Sequence, residues 1–123
     1  MTVLEATRVD FNQMTPDKMR GGITRRFAHT ESTMLAEVRL QAGDFVPAHR
    51  HHNEQLTYVI SGLMKFILGE DGETTEFVGP GQMLMIPGGL LHAAEILEDT
   101  FELDVFNPPR ADWIDGSDAY LRG

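Results

Sequence analysis

The 123-residue chain contains no cysteine. Disulfides and thiolate chemistry are therefore excluded, and any metal must be held by nitrogen and oxygen ligands. No apolar run approaches the ~18 residues that a membrane-spanning helix needs. Charged residues come early, at Glu5, Arg8 and Asp10, with no apolar signal core, so no export signal is expected and the expected location is cytoplasmic. Cations are scarce: Lys and Arg total 10 against 19 Asp and Glu, giving a formal charge of −9. Such a surface repels phosphate backbones, which argues against a nucleic-acid partner, and it repels small anions too. An acidic substrate would need a local cation of its own.

What is present suits one ordinary domain, expected to span residues 1–123. The apolar share of 41% is enough for a core and argues against disorder. Most of the chain reads as short strands. Residues 33–41 partly alternate apolar and polar. Residues 55–60 and 63–68 are dense in Leu, Tyr, Val, Ile and Phe, with Ser61-Gly62 as a separator. Glu70-Asp71-Gly72-Glu73 reads as a hairpin turn before Thr74–Val78. Gly79-Pro80-Gly81 and Pro87-Gly88-Gly89 bracket Met83–Ile86, and Glu98-Asp99 is expected to turn the chain between 91–97 and 100–106. Turn signals this frequent indicate an all-β sandwich or barrel. Thr15-Pro16-Asp17-Lys18 is expected to start a short helical turn, with Thr15 as N-cap. Pro108-Pro109 ends the last strand, and the tail from Arg110 to Gly123 is expected to lie along the barrel. The methionines at 34, 64, 83 and 85 are expected to fill core.

On a strand over 55–60, Gln55, Thr57 and Val59 share one face and Leu56, Tyr58 and Ile60 the other. An outer face this apolar predicts a partner sheet, most simply in a homodimer; the alternative is burial beneath the chain's own N-terminal strands.

His49 and His51 are two apart, a spacing that puts both rings on one face of a strand. Regular alternation favours Gln55 over its rival Glu54 as a fourth, oxygen ligand. His92, from a distant strand, supplies a third imidazole. Imidazole plus oxygen ligands suit one divalent transition metal, Mn, Fe, Co, Ni or Zn. Four protein ligands in an octahedral site leave two positions for water or substrate. His29 has no partner nearby, and His52 points away from His49 and His51; both are left outside the set.

These residues carry a family resemblance. Gly43-x5-His49-x-His51-x3-Gln55-x6-Gly62 resembles the first signature of the cupins, and Gly81-x5-Pro87-x-Gly89-x2-His92 the second. The resemblance covers roughly residues 33–106 and implies a double-stranded β-helix, or jelly-roll, barrel with the metal inside. Two positions depart from it: Gln55 stands where the first motif has an acid, and Ile96 where the second usually ends in Asn. Loss of an anionic ligand makes the metal more electrophilic.

Asp104-Val105-Phe106-Asn107-Pro108-Pro109-Arg110, taken with the His/His/Gln/His set, resembles the KdgF group of pectin-degradation cupins. That group opens the ring of 4,5-unsaturated monouronates, and the resemblance implies that Asp104, Phe106 and Arg110 line the active site. Asp104 would act as general acid/base, Arg110 would clamp the carboxylate bidentately, and Phe106 would stack on the sugar ring. The plainer alternatives are an Asp104–Arg110 ion pair closing the barrel and a core Phe106. Two other functions fit a cupin: a metal-dependent dioxygenase on a small aromatic or diketone, for which a buried acid and arginine have little use, and a non-catalytic ligand-binding cupin. The last usually carries a DNA-binding region, for which this chain has no room.

Overall fold

The computed structural model describes residues 4–122. Its strands are β1 (Asp17–Lys18), β2 (Thr24–His29), β3 (Met34–Leu40), β4 (Phe45–His49), β5 (Glu54–Leu68), β6 (Thr74–Val78), β7 (Met83–Ile86) and β8 (His92–Asn107), followed by one short helix, α1 (Ala111–Asp115). All strand pairs are antiparallel. The main path is β1-β2-β3-β8-β5-β6, with β4 on β8 and β7 on β5. None of the helices among the described residues is long and apolar enough to cross a membrane.

Two long strands make this a jelly roll. β5 and β8 pair along their whole lengths, from Glu54 opposite Asn107 to Leu68 opposite His92. Their register slips between Val59 and Met64, opposite residues 96–102, and there both strands bend. Gly62 sits at the bend with φ +101°, and a Cβ there would lie 2.4 Å from the Asp99 carbonyl oxygen. The Thr100 hydroxyl patches the interrupted ladder, accepting from the Leu63 N–H and donating to the Glu98 carbonyl. The expected break at Ser61-Gly62 and turn at Glu98-Asp99 are thus bulges inside continuous strands. A bulge and a turn share the same residue chemistry, and only the partner strand distinguishes them.

The bend folds each strand back, so that the first and last residues of β8, and of β5, face one mouth of the barrel. Between the two layers lie Met34, Ala36, Val38, Leu40, Val59, Met64, Phe66, Val78, Ile86, Ala94 and Ile96, all buried.

The N-terminal end differs from expectation. The N-terminal turn is a 3-10 turn at Phe11–Gln13, capped by Asp10, whose carboxylate accepts the Asn12 N–H at 3.0 Å. The expected helical turn at 15–18 is instead β1, paired with Thr24 and Arg25. Asp10 is already a competent cap, and extended backbone at 17–18 satisfies polar groups on the β2 edge. Residues 108–122 cross the barrel mouth as α1 and a 3-10 turn at Ala119–Leu121, burying Trp113 and Leu121. The tail is tied down at three places. Asn53 donates to the carbonyls of Pro108 (2.6 Å) and Pro109 (3.2 Å), and Asp118 pairs with buried Arg25 at 2.6 Å. Gly123 lies outside the described residues.

Of the four methionines expected in the core, Met34 and Met64 are there; Met83 and Met85 stand exposed on the outer face of β7.

Candidate metal centre

His49 ends β4 and His92 begins β8, and the two stand opposite each other in the ladder. His51 lies beyond β4, so the pleat alone does not bring it alongside His49. Two contacts from the second motif hold it: Gly89 N–H donates to the His51 carbonyl at 2.8 Å, and Gly88 passes so close to the His52 carbonyl that a Cβ would meet it at 2.2 Å. The two half-motifs therefore touch through backbone as well as through imidazoles. Ring centroids are 5.6 Å apart for His49–His51, 4.3 Å for His49–His92 and 5.0 Å for His51–His92. One nitrogen from each lies within 4.8 Å of the other two.

The proton positions on these rings follow from their neighbours. Nδ1 of His49, His51 and His92 lies 2.8, 3.1 and 2.8 Å from the carbonyl oxygens of Pro47, Asn53 and Leu90. A carbonyl only accepts, so each Nδ1 bears the hydrogen and each Nε2 presents a lone pair to the common centre. Nε2 of His92 is buried with no hydrogen-bond partner among the described residues. Burial pushes the His49 imidazole down to about 3 and the His51 imidazole to about 4, with neighbouring positive charge adding to the effect. Burial likewise lowers His92. All three rings are therefore neutral at pH 7, the form that ligates.

Gln55 is buried on β5 and Glu54 is exposed, as alternation requires. The Gln55 amide nitrogen donates to Thr57 Oγ1 at 2.9 Å and reaches Asp104 Oδ1 at 3.4 Å, which turns its oxygen toward His51 Nε2 at 3.1 Å. Neutral His51 has one proton and two oxygen neighbours, the Asn53 carbonyl and Gln55 Oε1. One of those contacts has no hydrogen between its atoms, and a cation lying among the three Nε2 atoms and Oε1 satisfies it. The donor set fits a divalent metal on this ground.

β8 lines the adjoining cavity with alternate residues. Phe106 is buried beside the His51 ring, edge-on at 5.8 Å. Asp104 is buried next, accepting from the Thr57 hydroxyl at 2.7 Å. Below it is Glu102, 4% exposed, with Oε2 buried and unpartnered. Two carboxyls at this depth cannot both ionise. Burial raises both, and the charge of Asp104 raises Glu102 further, so Glu102 holds its proton more tightly than Asp104 does.

The sign of this shift gives a prediction. A carboxyl raised in the folded state costs stability as pH climbs above its unfolded value of 4.5, because only the unfolded chain releases the proton freely. Glu102→Gln removes that cost. In metal-free protein, the stability of Glu102→Gln relative to the parent should rise as pH climbs above 4.5, by up to about 1.4 kcal/mol per pH unit. Urea unfolding at each pH measures it, and a gap that does not change with pH would contradict a buried protonated Glu102.

Arg110 is buried but makes no ion pair with Asp104. Its Nε and Nη2 grip Asp112 at 2.9 and 2.8 Å, and Nη2 also donates to the Tyr120 hydroxyl at 2.8 Å. The barrel-closing ion pair, the plainer alternative, is therefore not formed, and the guanidinium edge suited to a bidentate clamp is already taken by Asp112. Nη1 keeps its two hydrogens for another acceptor. The charge of Arg110 still acts across the cavity, where it lowers Asp104 against the effect of burial.

His29 and His52 are exposed and apart from the cluster. Sequence reasoning passed over Thr57, Glu102, Asp112, Trp113 and Tyr120. Glu102 was within reach, since it shares a strand face with Asp104 and Phe106. The tail residues carry no periodic signal.

A family model described as "Cupin domain" matches residues 36–107, more than half of the chain. The chain is a cupin. Solved structures agree. The structure of KdgF from Halomonas sp. superposes with a TM-score of 0.79 and 28% identity, covering 89% of this cupin and 99% of that chain. The polyketide cyclase RemF from Streptomyces resistomycificus gives 0.71 and 26%, covering 85% and 80%. Bacillus subtilis oxalate decarboxylase, described with Mn(II) centres, gives 0.76 at 22% identity over 88% of this cupin and 31% of that chain, a likeness of fold alone. No curated protein matches the chain. The fold expected from sequence, an all-β jelly-roll cupin resembling KdgF, is the fold observed.

Proposed function

We propose that this cupin is a metal-dependent enzyme that opens the ring of a 4,5-unsaturated uronate or a related small anionic sugar. One observation carries the reading: a buried carboxyl, Asp104, and a buried guanidinium, Arg110, line the cavity that the imidazoles face, and Asp104 is wired to them through Thr57 and Gln55. The structural likeness to KdgF supports it. His49, His51, His92 and Gln55 would hold the metal, which when bound supplies Lewis acidity toward sugar oxygens. All four donors are neutral, so they cancel none of its charge.

The remaining chemistry belongs to the chain. Ring opening takes a proton from the anomeric hydroxyl, breaks the bond from C1 to the ring oxygen, and forms the C1 carbonyl. The released enolate takes a proton at C4 and becomes the C5 ketone, so atoms and charge balance. Asp104 is the proton carrier, and Glu102 beneath it keeps a proton on the pair. Arg110 meets the substrate carboxylate through Nη1, the cation that the acidic surface makes necessary. Phe106 gives the ring an apolar wall.

The test is anaerobic. Metal-loaded protein mixed with unsaturated galacturonate should bleach the ultraviolet absorbance of the double bond. No bleaching, together with oxygen uptake on a catechol or flavonol, would instead make it a dioxygenase.

We also propose that the working form is a homodimer. Leu35, Leu56 and Met85 lie along one line of register with Val105 on β3, β8, β5 and β7, and Tyr58, Ile60 and Met83 extend the patch. Leu56, Tyr58 and Ile60 are 36, 40 and 43% exposed, so the N-terminal strands do not cover them. Sedimentation should give twice the 13.8 kDa chain mass, and Leu56→Glu should shift it to the monomer. A monomeric parent protein would refute the proposal.

A further inference from the structure

The matched family region ends at residue 107, yet the wall above the imidazoles comes from the residues that follow. Tyr120 is the contact between the two. Its ring stacks on His49 with centroids 4.0 Å apart and planes within 17°. His49 is thereby fixed on one edge by the Pro47 carbonyl and on one face by Tyr120. The hydroxyl of the same side chain accepts from Arg110 Nη2 at 2.8 Å and from Trp113 Nε1 at 3.1 Å. With Asp112 on the Nε edge, this accounts for every hydrogen of Arg110 except those of Nη1.

We infer that Tyr120 is a positioning residue that sets two groups at once, the His49 imidazole through its ring and the Arg110 guanidinium through its hydroxyl. The inference rests on the metal-site and uronate readings above, and its two halves separate by substitution. An imidazole free to rotate about its χ angles pays entropy on binding a metal, and a stacked one has already paid it. A guanidinium with three fixed hydrogens offers the remaining nitrogen in one direction only, which suits one oxygen of a carboxylate and rejects a neutral sugar. The tail is latched over the mouth by the Asp118–Arg25 pair, with Arg122 on the other Asp118 oxygen at 2.8 Å, so Tyr120 is delivered to the same place each time the chain folds.

Tyr120→Phe keeps the stack and removes the acceptor. Tyr120→Leu removes both. Zn2+ affinity, measured by competition with a chromogenic chelator, should stay within about twofold of the parent for Tyr120→Phe and fall about tenfold for Tyr120→Leu, the size expected when a group that orients a ligand is lost. With unsaturated galacturonate, Tyr120→Phe should raise KM about tenfold and leave kcat nearly unchanged, because Arg110 acts on binding. A role confined to folding would lower the thermal midpoint of both variants without separating their Zn2+ affinities, and that outcome overturns the inference. So does parental Zn2+ affinity in Tyr120→Leu, or an unchanged KM in Tyr120→Phe. The Zn2+ comparison needs no turnover. A parent protein inert toward the uronate therefore refutes the proposed reaction and the Arg110 half, while the His49 half is still decided by Zn2+.

Discussion

His92→Ala is expected to abolish metal retention. This imidazole is the most buried of the cluster, and its Nε2 has no hydrogen-bond partner among the described residues. Losing a group that only orients a ligand already costs ~10- to 100-fold in affinity, so losing the ligand itself should cost more than about a hundredfold. Elemental analysis after purification and chelator competition both measure this. His52→Ala is the matched control, because that imidazole is exposed and outside the cluster. Metal should also raise the stability of the parent, by about 2.7 kcal/mol at a hundredfold excess over Kd, and leave His92→Ala unmoved. Undiminished metal content in His92→Ala would show the cluster to be no metal site.

Asp104→Asn is the second large effect. Asparagine keeps an oxygen for the Thr57 hydroxyl and for the Gln55 amide, so the arrangement around the metal ligands should survive. What disappears is the carboxylate that takes up and returns the proton. Turnover of the unsaturated uronate should fall about 10²- to 10⁴-fold, the usual worth of general acid/base catalysis, with metal content unchanged. A variant retaining more than about a tenth of parental turnover would remove Asp104 from the chemistry. Loss of metal alongside activity would mean that the carboxyl acts through Gln55 instead, as the orienting group of a ligand.

Much of this site is legible in the sequence because its chemistry is tied to local geometry. Gln55 faces inward and Glu54 outward because a strand alternates, and Asp104 and Phe106 share the inner face for the same reason. The spacing His49-x-His51 marks two members of the imidazole cluster, although not by the route the pleat suggests: His51 leaves the strand, and its carbonyl is held by the Gly89 N–H. Ser61-Gly62 and Glu98-Asp99 mislead because polar and glycine residues serve bulges as well as turns. The exact course of the tail is the least legible part. Its residues have neither period, and their positions follow from Asn53, Arg25 and Asp118, contacts made across long stretches of chain.

The pattern of apolar alternation, the absence of thiols and the two histidine motifs by themselves determined an all-β barrel with nitrogen and oxygen ligands for a metal. Those properties depend on residue type and on periods that hold within a single strand. Tertiary structure decided how the ligands and their supports meet. A bend in β5 and β8 brings strand ends to a common mouth, and Tyr120 of the tail is seated on His49. Each depends on contacts between segments distant in the chain, which packing fixes and no local pattern encodes.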